Sequence, residues 1–67
     1  MIRQSVSSSA IRSVGYDASK RILEIQFTSF TTYRYRNVPE SIYYGLMNAS
    51  SKGTYFNRYI KDRFSYY

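Results

Sequence analysis

The chain has 67 residues and a formal net charge of +6, from ten Lys and Arg against four Asp and Glu, with neither Cys nor His. A chain this short makes one domain, and it buries only about 60% of the surface its unfolded form exposes. Disulfides, Cys-ligated metals and nucleophile systems built on Ser-His-Asp or Cys-His are excluded. An isoelectric point near 9.8 fits a polyanion-binding footprint, and equally a basic domain kept soluble by its charge.

Nine Tyr and four Phe, with no Trp, supply large side chains for a small core. Tyrosine also stacks on bases. No stretch approaches the ~20 apolar residues of a membrane span. The start lacks the apolar run of a signal peptide, so a cytoplasmic location is expected.

Residues 1–9 are polar and rich in Ser, which predicts a flexible N-terminal arm. Residues 10–67 are predicted to form the single domain. A first strand is expected over residues 10–16, where Ile11 and Val14 have opposite parity and need a bulge near Ser13. Asp17-Ala18-Ser19-Lys20 is a polar turn. Over residues 21–28, Leu23, Ile25 and Phe27 alternate with Glu24, Gln26 and Thr28, as in a half-buried strand. Ser29-Phe30-Thr31 makes the next hairpin tip, and residues 32–38 the third strand.

Pro39 suits the first position of a helix. Ile42, Tyr43, Leu46, Met47 and Ala49 follow at helical spacing, with Gly45 a weak point that permits close packing. Ser50 or Ser51 caps a second helix, with Tyr55, Phe56, Tyr59 and Ile60 on one face and Asn57, Arg58 and Lys61 on the other. Phe64-Ser65-Tyr66 suggests a short last strand. The expected fold is α+β: a three-stranded antiparallel meander followed by two helices packed on one of its faces.

Parity in the second hairpin bears on function. Opposed residues of an antiparallel pair share a face. With Tyr33 and Tyr35 on the Leu23 face, Phe27 pairs with Tyr33 and Ile25 with Tyr35. The two tyrosines then belong to the core, which argues against base stacking by them. Arg34 and Arg36 project from the other face, with Glu24 opposite Arg36. Phosphate contact suits such a strip better than base stacking.

Ser51-Lys52-Gly53 at a helix N-terminus forms an anion-binding turn or, on the same residues, a plain helix cap with a turn glycine. Tyr44, Tyr66 and Tyr67 are the better candidates for exposed stacking. Asp17, Glu24, Glu40 and Asp62 are scattered, so no carboxylate pair forms, and the chain is expected to be non-enzymatic, without metal or cofactor. Lys52, Arg58 and Tyr55 are the group to test for a His-free ribonuclease.

These residues resemble the KTSC domain. The match rests on residues 9–16, Leu23-Glu24-Ile25, Tyr33-Arg34-Tyr35, Val38-Pro39, Ala49-Ser50-Ser51-Lys52-Gly53, Tyr55-Phe56-Asn57 and Ile60. The resemblance implies a short module of bacteria and phages, found alone and at the C-terminus of some lysyl-tRNA synthetases. That context suggests RNA binding. One departure is the hairpin tip, where Ser29-Phe30 stand in a position that often carries Gly in such domains. The expected role is weak, sequence-independent RNA binding through Arg34, Arg36, Arg12, Lys52 and Arg58. The rival is a protein-interaction module docking through Phe30, Tyr44 and Tyr66.

Overall fold

The alternation of Leu23, Ile25 and Phe27 with Glu24 and Gln26 organises the sheet, and the other strands are built on either side of it. The structure, a computed structural model, describes residues 2–67. Its elements are β1 (Arg3–Ser5), β2 (Ile11–Asp17), β3 (Ile22–Phe27), β4 (Thr32–Tyr35), α1 (Glu40–Asn48) and α2 (Lys52–Tyr59). The strands form one antiparallel sheet in the order β1-β2-β3-β4. The α+β class is as expected, and the foreseen three-stranded meander gains a fourth strand at the N-terminal end of the chain, while the foreseen last strand is a single bridge between Tyr66 and Tyr35.

The added strand is β1, which lies inside the expected flexible arm; Met1 of that arm lies outside the described residues. Arg3 pairs with Gly15 and Ser5 with Ser13. The Val6 N–H donates to the Arg12 carbonyl at 3.1 Å. Ser8 Oγ accepts from the N–H groups of Ala10 and Ile11, each at 3.2 Å. An edge strand needs only backbone partners, so its exposed Arg-Gln-Ser side chains leave no hydrophobic alternation to read.

The β2–β3 register shifts between Ile11 and Ser13, leaving Arg12 as the extra residue. This is the bulge that parity requires, and it lets Ile11 and Val14 both be fully buried. Asp17 Oδ1 closes the following turn by accepting from Ser19 N–H, Ser19 Oγ–H and Lys20 N–H. These bonds favour the ionised carboxylate, the Ser19 hydroxyl most strongly, and lower its pKa.

The β3–β4 register differs from expectation by two residues. Leu23 pairs with Tyr35, Glu24 with Arg34, and Ile25 with Tyr33. Parity fixes which face a side chain takes, but registers two residues apart satisfy it equally. Turn geometry makes the choice. Phe27 N–H donates to the Thr31 carbonyl and Phe30 N–H to the Phe27 carbonyl, each at 2.9 Å, closing a three-residue loop over Thr28, Ser29 and Phe30. Such a loop ends in a left-handed residue. Phe30 fills that position at φ 68°, where glycine is the low-strain choice.

Phe30→Gly should therefore stabilise the domain. Relief of about 1–2 kcal/mol of left-handed strain outweighs loss of a cation–π contact of about 0.5–1 kcal/mol. The expected rise in Tm is a few degrees, about 4–8 °C per kcal/mol in a domain of this size. Thermal unfolding followed by circular dichroism checks it.

Both helices lie on the Leu23 face. Leu46 of α1 and Ile60 after α2 are fully buried with Leu23, Ile25 and Val38, and Phe56 is nearly so. Phe27 meets Phe56 edge-on at 5.1 Å, and Tyr16 stacks on Tyr43 at 4.8 Å and 10°. Tyr35 is 3% exposed, as parity demands. Tyr33 shares its face but is only half-buried, on the strand at the sheet edge. Tyr59, expected on the buried face of α2, is 39% exposed.

Pro39 is the N-cap of α1 rather than its first residue, with an extended backbone (φ −70°, ψ 155°). Ser51 caps α2, its hydroxyl accepting from Thr54 N–H at 3.4 Å. The C-terminus returns to the sheet. Tyr66 bridges Tyr35 in antiparallel fashion, Arg36 N–H donates to Ser65 and Tyr67 N–H to Arg34. This segment covers the outer edge of β4.

Candidate nucleic-acid interface

Because the helices take one face of the sheet, the other has no element over it among the described residues. Its side chains follow from the registers. Arg3, Gly15, Glu24, Arg34 and Tyr67 lie across it in one row, and Arg36 follows two residues after Arg34, just past the end of β4. Gln26 and Ser13 lie toward the hairpin tip, joined by a hydrogen bond of 3.3 Å.

Glu24 is the hub of the row. It is 8% exposed and lies between two guanidinium groups, Arg34 at 3.5 Å and Arg3 at 3.9 Å. The expected pairing with Arg36 is thus corrected: the two-residue register change brings Arg34, not Arg36, opposite the carboxylate. Arg36 is exposed and makes no ion pair among the described residues; its guanidinium lies over the Tyr67 ring, 4.5 Å from the centroid. Arg12 on the bulge lies over Phe30 at 4.7 Å in the same way. The face therefore presents paired cations at its centre and an arginine on an aromatic ring at each end. A guanidinium held on a ring in this way keeps its edge free for a phosphate oxygen.

The structure brings together Arg12, Arg34 and Arg36 and leaves Lys52 and Arg58 on the helical side. Lys52 Nζ donates to the Ala49 carbonyl at 3.0 Å, which ties α2 to the end of α1. Ser51, Lys52 and Gly53 border a small hollow with Ser7, Ser8 and Ser9. Ser51 Oγ accepts from Thr54 N–H as the cap of α2. Arg58 borders a separate shallow hollow with Tyr55 and Tyr59. Tyr55 donates to the Ile42 carbonyl at 3.1 Å, and burial raises the pKa of its hydroxyl. Of the three groups named for ribonuclease chemistry, two thus have structural bonds.

Sequence reasoning missed Arg3 and placed Phe30 and Tyr67 outside the charged strip. Arg3 was hidden by the unforeseen strand. Tyr67 was readable only as a chain end, although its parity relative to Tyr66 would have put it on the arginine face once a last strand was drawn. Phe30, Tyr44 and Tyr66, the residues of the rival docking surface, keep separate neighbours: Arg12, Tyr43, and the pair Tyr33 and Tyr35. No helix among the described residues is long and apolar enough to cross a membrane.

A small α+β module with an open basic sheet face is the class these features define. The KTSC domain family matches over residues 7–64, and the chain belongs to that family. An uncharacterized protein of Stutzerimonas stutzeri is 41% identical over 63 residues, covering 94% of this chain and 89% of that protein. A lysine–tRNA ligase of Nostoc punctiforme is 40% identical over 58 residues, covering 87% of this chain but 10% of the ligase. The family thus occurs both as nearly the whole of a short protein and as a small part of a synthetase. A crystal structure of a KTSC domain protein from Yersinia pestis superposes with a TM-score of 0.96 at 48% identity, covering 98% of this chain and 93% of that one.

Proposed function

We propose that the chain is a non-catalytic module that binds single-stranded RNA weakly and with little sequence preference, through the helix-free face of the sheet. The observation that supports this most is Arg36 over Tyr67 beside Arg34, a cation without a carboxylate partner on an uncovered surface. Arg12 with Phe30 extends the same chemistry to the hairpin tip. Kinship with a segment of lysine–tRNA ligases adds an RNA-handling context. Lys52 and Arg58 have no part in this contact.

The test is fluorescence anisotropy of a labelled uridine 10-mer at several salt concentrations. Engagement of three or four phosphates gives a log–log salt slope of roughly −2 to −3. Arg36→Ala should reduce that slope by roughly 0.7 and weaken binding several-fold at low salt. Arg34→Ala should do less, because Glu24 already opposes it. Glu24→Gln should tighten binding by releasing Arg3 and Arg34, and Lys52→Ala should leave it unchanged. Absence of salt-sensitive binding, or one affinity for all four variants, would favour the protein-interaction reading instead.

A further inference from the structure

On the opposite side of the sheet edge lies a groove of about 600 Å³, bordered by Phe27, Tyr33, Tyr35, Phe56 and Tyr66, with Lys61 and Asp62 at its rim. Its walls are flat. Tyr66 meets Tyr33 edge-on at 4.8 Å and lies 5.7 Å from Tyr35. Tyr35 is almost wholly buried, and among the described residues no group bonds its hydroxyl, which is not sealed from solvent. Tyr35 borders this groove, and a hydroxyl that reaches it can bond a ligand there. Asp62 is exposed and forms no ion pair among the described residues.

We propose that this groove takes one unpaired nucleobase, guanine by preference. Aromatic walls of this kind stack on a base, and every base has a face to stack. Selection comes from Asp62. A carboxylate only accepts hydrogen bonds. Guanine offers it two adjacent donors, N1–H and the N2 amine. Adenine and cytosine set a ring acceptor beside their amine, and uracil offers one N–H between two carbonyls. Lys61 supplies a cation for the phosphate joined to the base. The groove and the arginine face flank the same sheet edge, because Tyr66 and Tyr67 project to its opposite sides. The assignment deepens the RNA reading, which rests on separate residues: the sheet face contacts any sequence, and the groove adds a preference at one base.

Two measurements separate the two claims. Guanosine monophosphate, titrated into the protein, should shift the ring proton signals of Tyr33, Tyr35 and Tyr66 first, with an affinity several-fold above that for the adenosine, cytidine and uridine monophosphates. Tyr66→Ala should weaken the guanosine nucleotide about tenfold, the loss of one stacking wall. Asp62→Asn should abolish the preference over adenosine. Tyr35→Phe keeps the ring and the fold and removes the hydroxyl, and should weaken binding about threefold.

In anisotropy, one central guanosine in the uridine 10-mer should add about tenfold in affinity, and Tyr66→Ala should remove that gain. Equal binding of both 10-mers, with Arg36→Ala still weakening each, would overturn the base pocket and leave the sheet face standing. Guanosine monophosphate shifting the groove while no 10-mer binds would uphold the pocket and overturn the sheet face. Shifts produced by N-acetyltyrosinamide and not by any nucleotide would assign the groove to an aromatic side chain of a protein partner, and so overturn it.

Discussion

Tyr35→Ala is expected to destabilise the domain by about 3–5 kcal/mol, the range for deleting a large buried aromatic. The ring packs edge-on against Phe56 at 5.8 Å, lies 6.4 Å from Tyr33 and 5.7 Å from Tyr66, and pairs across the sheet with Leu23. Its loss removes the contact between the sheet edge, α2 and the C-terminal segment together. Stability of a domain this short is of order 3–10 kcal/mol, from about 0.05–0.15 kcal/mol per residue. The variant should therefore be largely unfolded on warming, with collapsed amide dispersion in NMR spectra. Tyr35→Phe should stay folded, since it keeps every ring contact. Urea unfolding of both variants decides the matter, and a Tyr35→Ala protein that melts with the parent would show that the ring is not part of the core.

The same burial governs the hydroxyl. Desolvation, reinforced by the neighbouring Tyr33 and Tyr66, pushes the Tyr35 pKa up to about 12 from an ordinary value near 10. A raised phenol pKa means that the unfolded chain loses its proton first. The stabilisation is complete below about pH 10 and falls away as the pH climbs toward 12.

How far the sequence carried depended on whether a feature rests on side-chain pattern or on backbone. The period-two run through Leu23, Ile25 and Phe27 put Tyr33 and Tyr35 on the core face and Arg34 and Arg36 on the other. The mismatch of Ile11 and Val14 exposed the bulge, and the Ser50-Ser51 pair marked the start of α2. Two things had no such signature. β1 pairs through backbone groups and exposes polar side chains, so nothing in Arg3-Gln4-Ser5 distinguishes it from a loose arm. The β3–β4 register turns on Phe30 accepting a left-handed conformation, which a phenylalanine at a tip does not announce. That one local choice moved Glu24 from Arg36 to Arg34, and so exchanged the paired and unpaired arginines of the candidate interface. Folding-level errors of two residues can thus leave the core right and the charge map wrong.

Gly45→Ala in α1 is expected to destabilise, against the helix scale. In an isolated helix the change would gain about 1 kcal/mol. Here a methyl group at Gly45 would land on the Tyr55 hydroxyl, with Tyr55 Cζ only 2.7 Å away. The ring is not free to withdraw. Its hydroxyl is held by the Ile42 carbonyl one turn earlier in α1, and its face lies against Tyr59 at 4.7 Å. Accommodating the methyl means parting α1 from α2, or breaking the Tyr55 bond and leaving a polar group short of its partner. Overpacking costs about 1–3 kcal/mol, and the lost bond about 1 kcal/mol more. The balance is a net loss of about 1–3 kcal/mol. Urea unfolding gives the sign directly. Tyr55→Phe should lose about 1 kcal/mol on its own. Combined with Gly45→Ala it should lose less than the sum, because the phenylalanine has no hydroxyl for the methyl to strike and residues in contact do not behave additively. A stabilised Gly45→Ala protein would mean that Tyr55 swings aside freely and that the helix pair is not held at this contact.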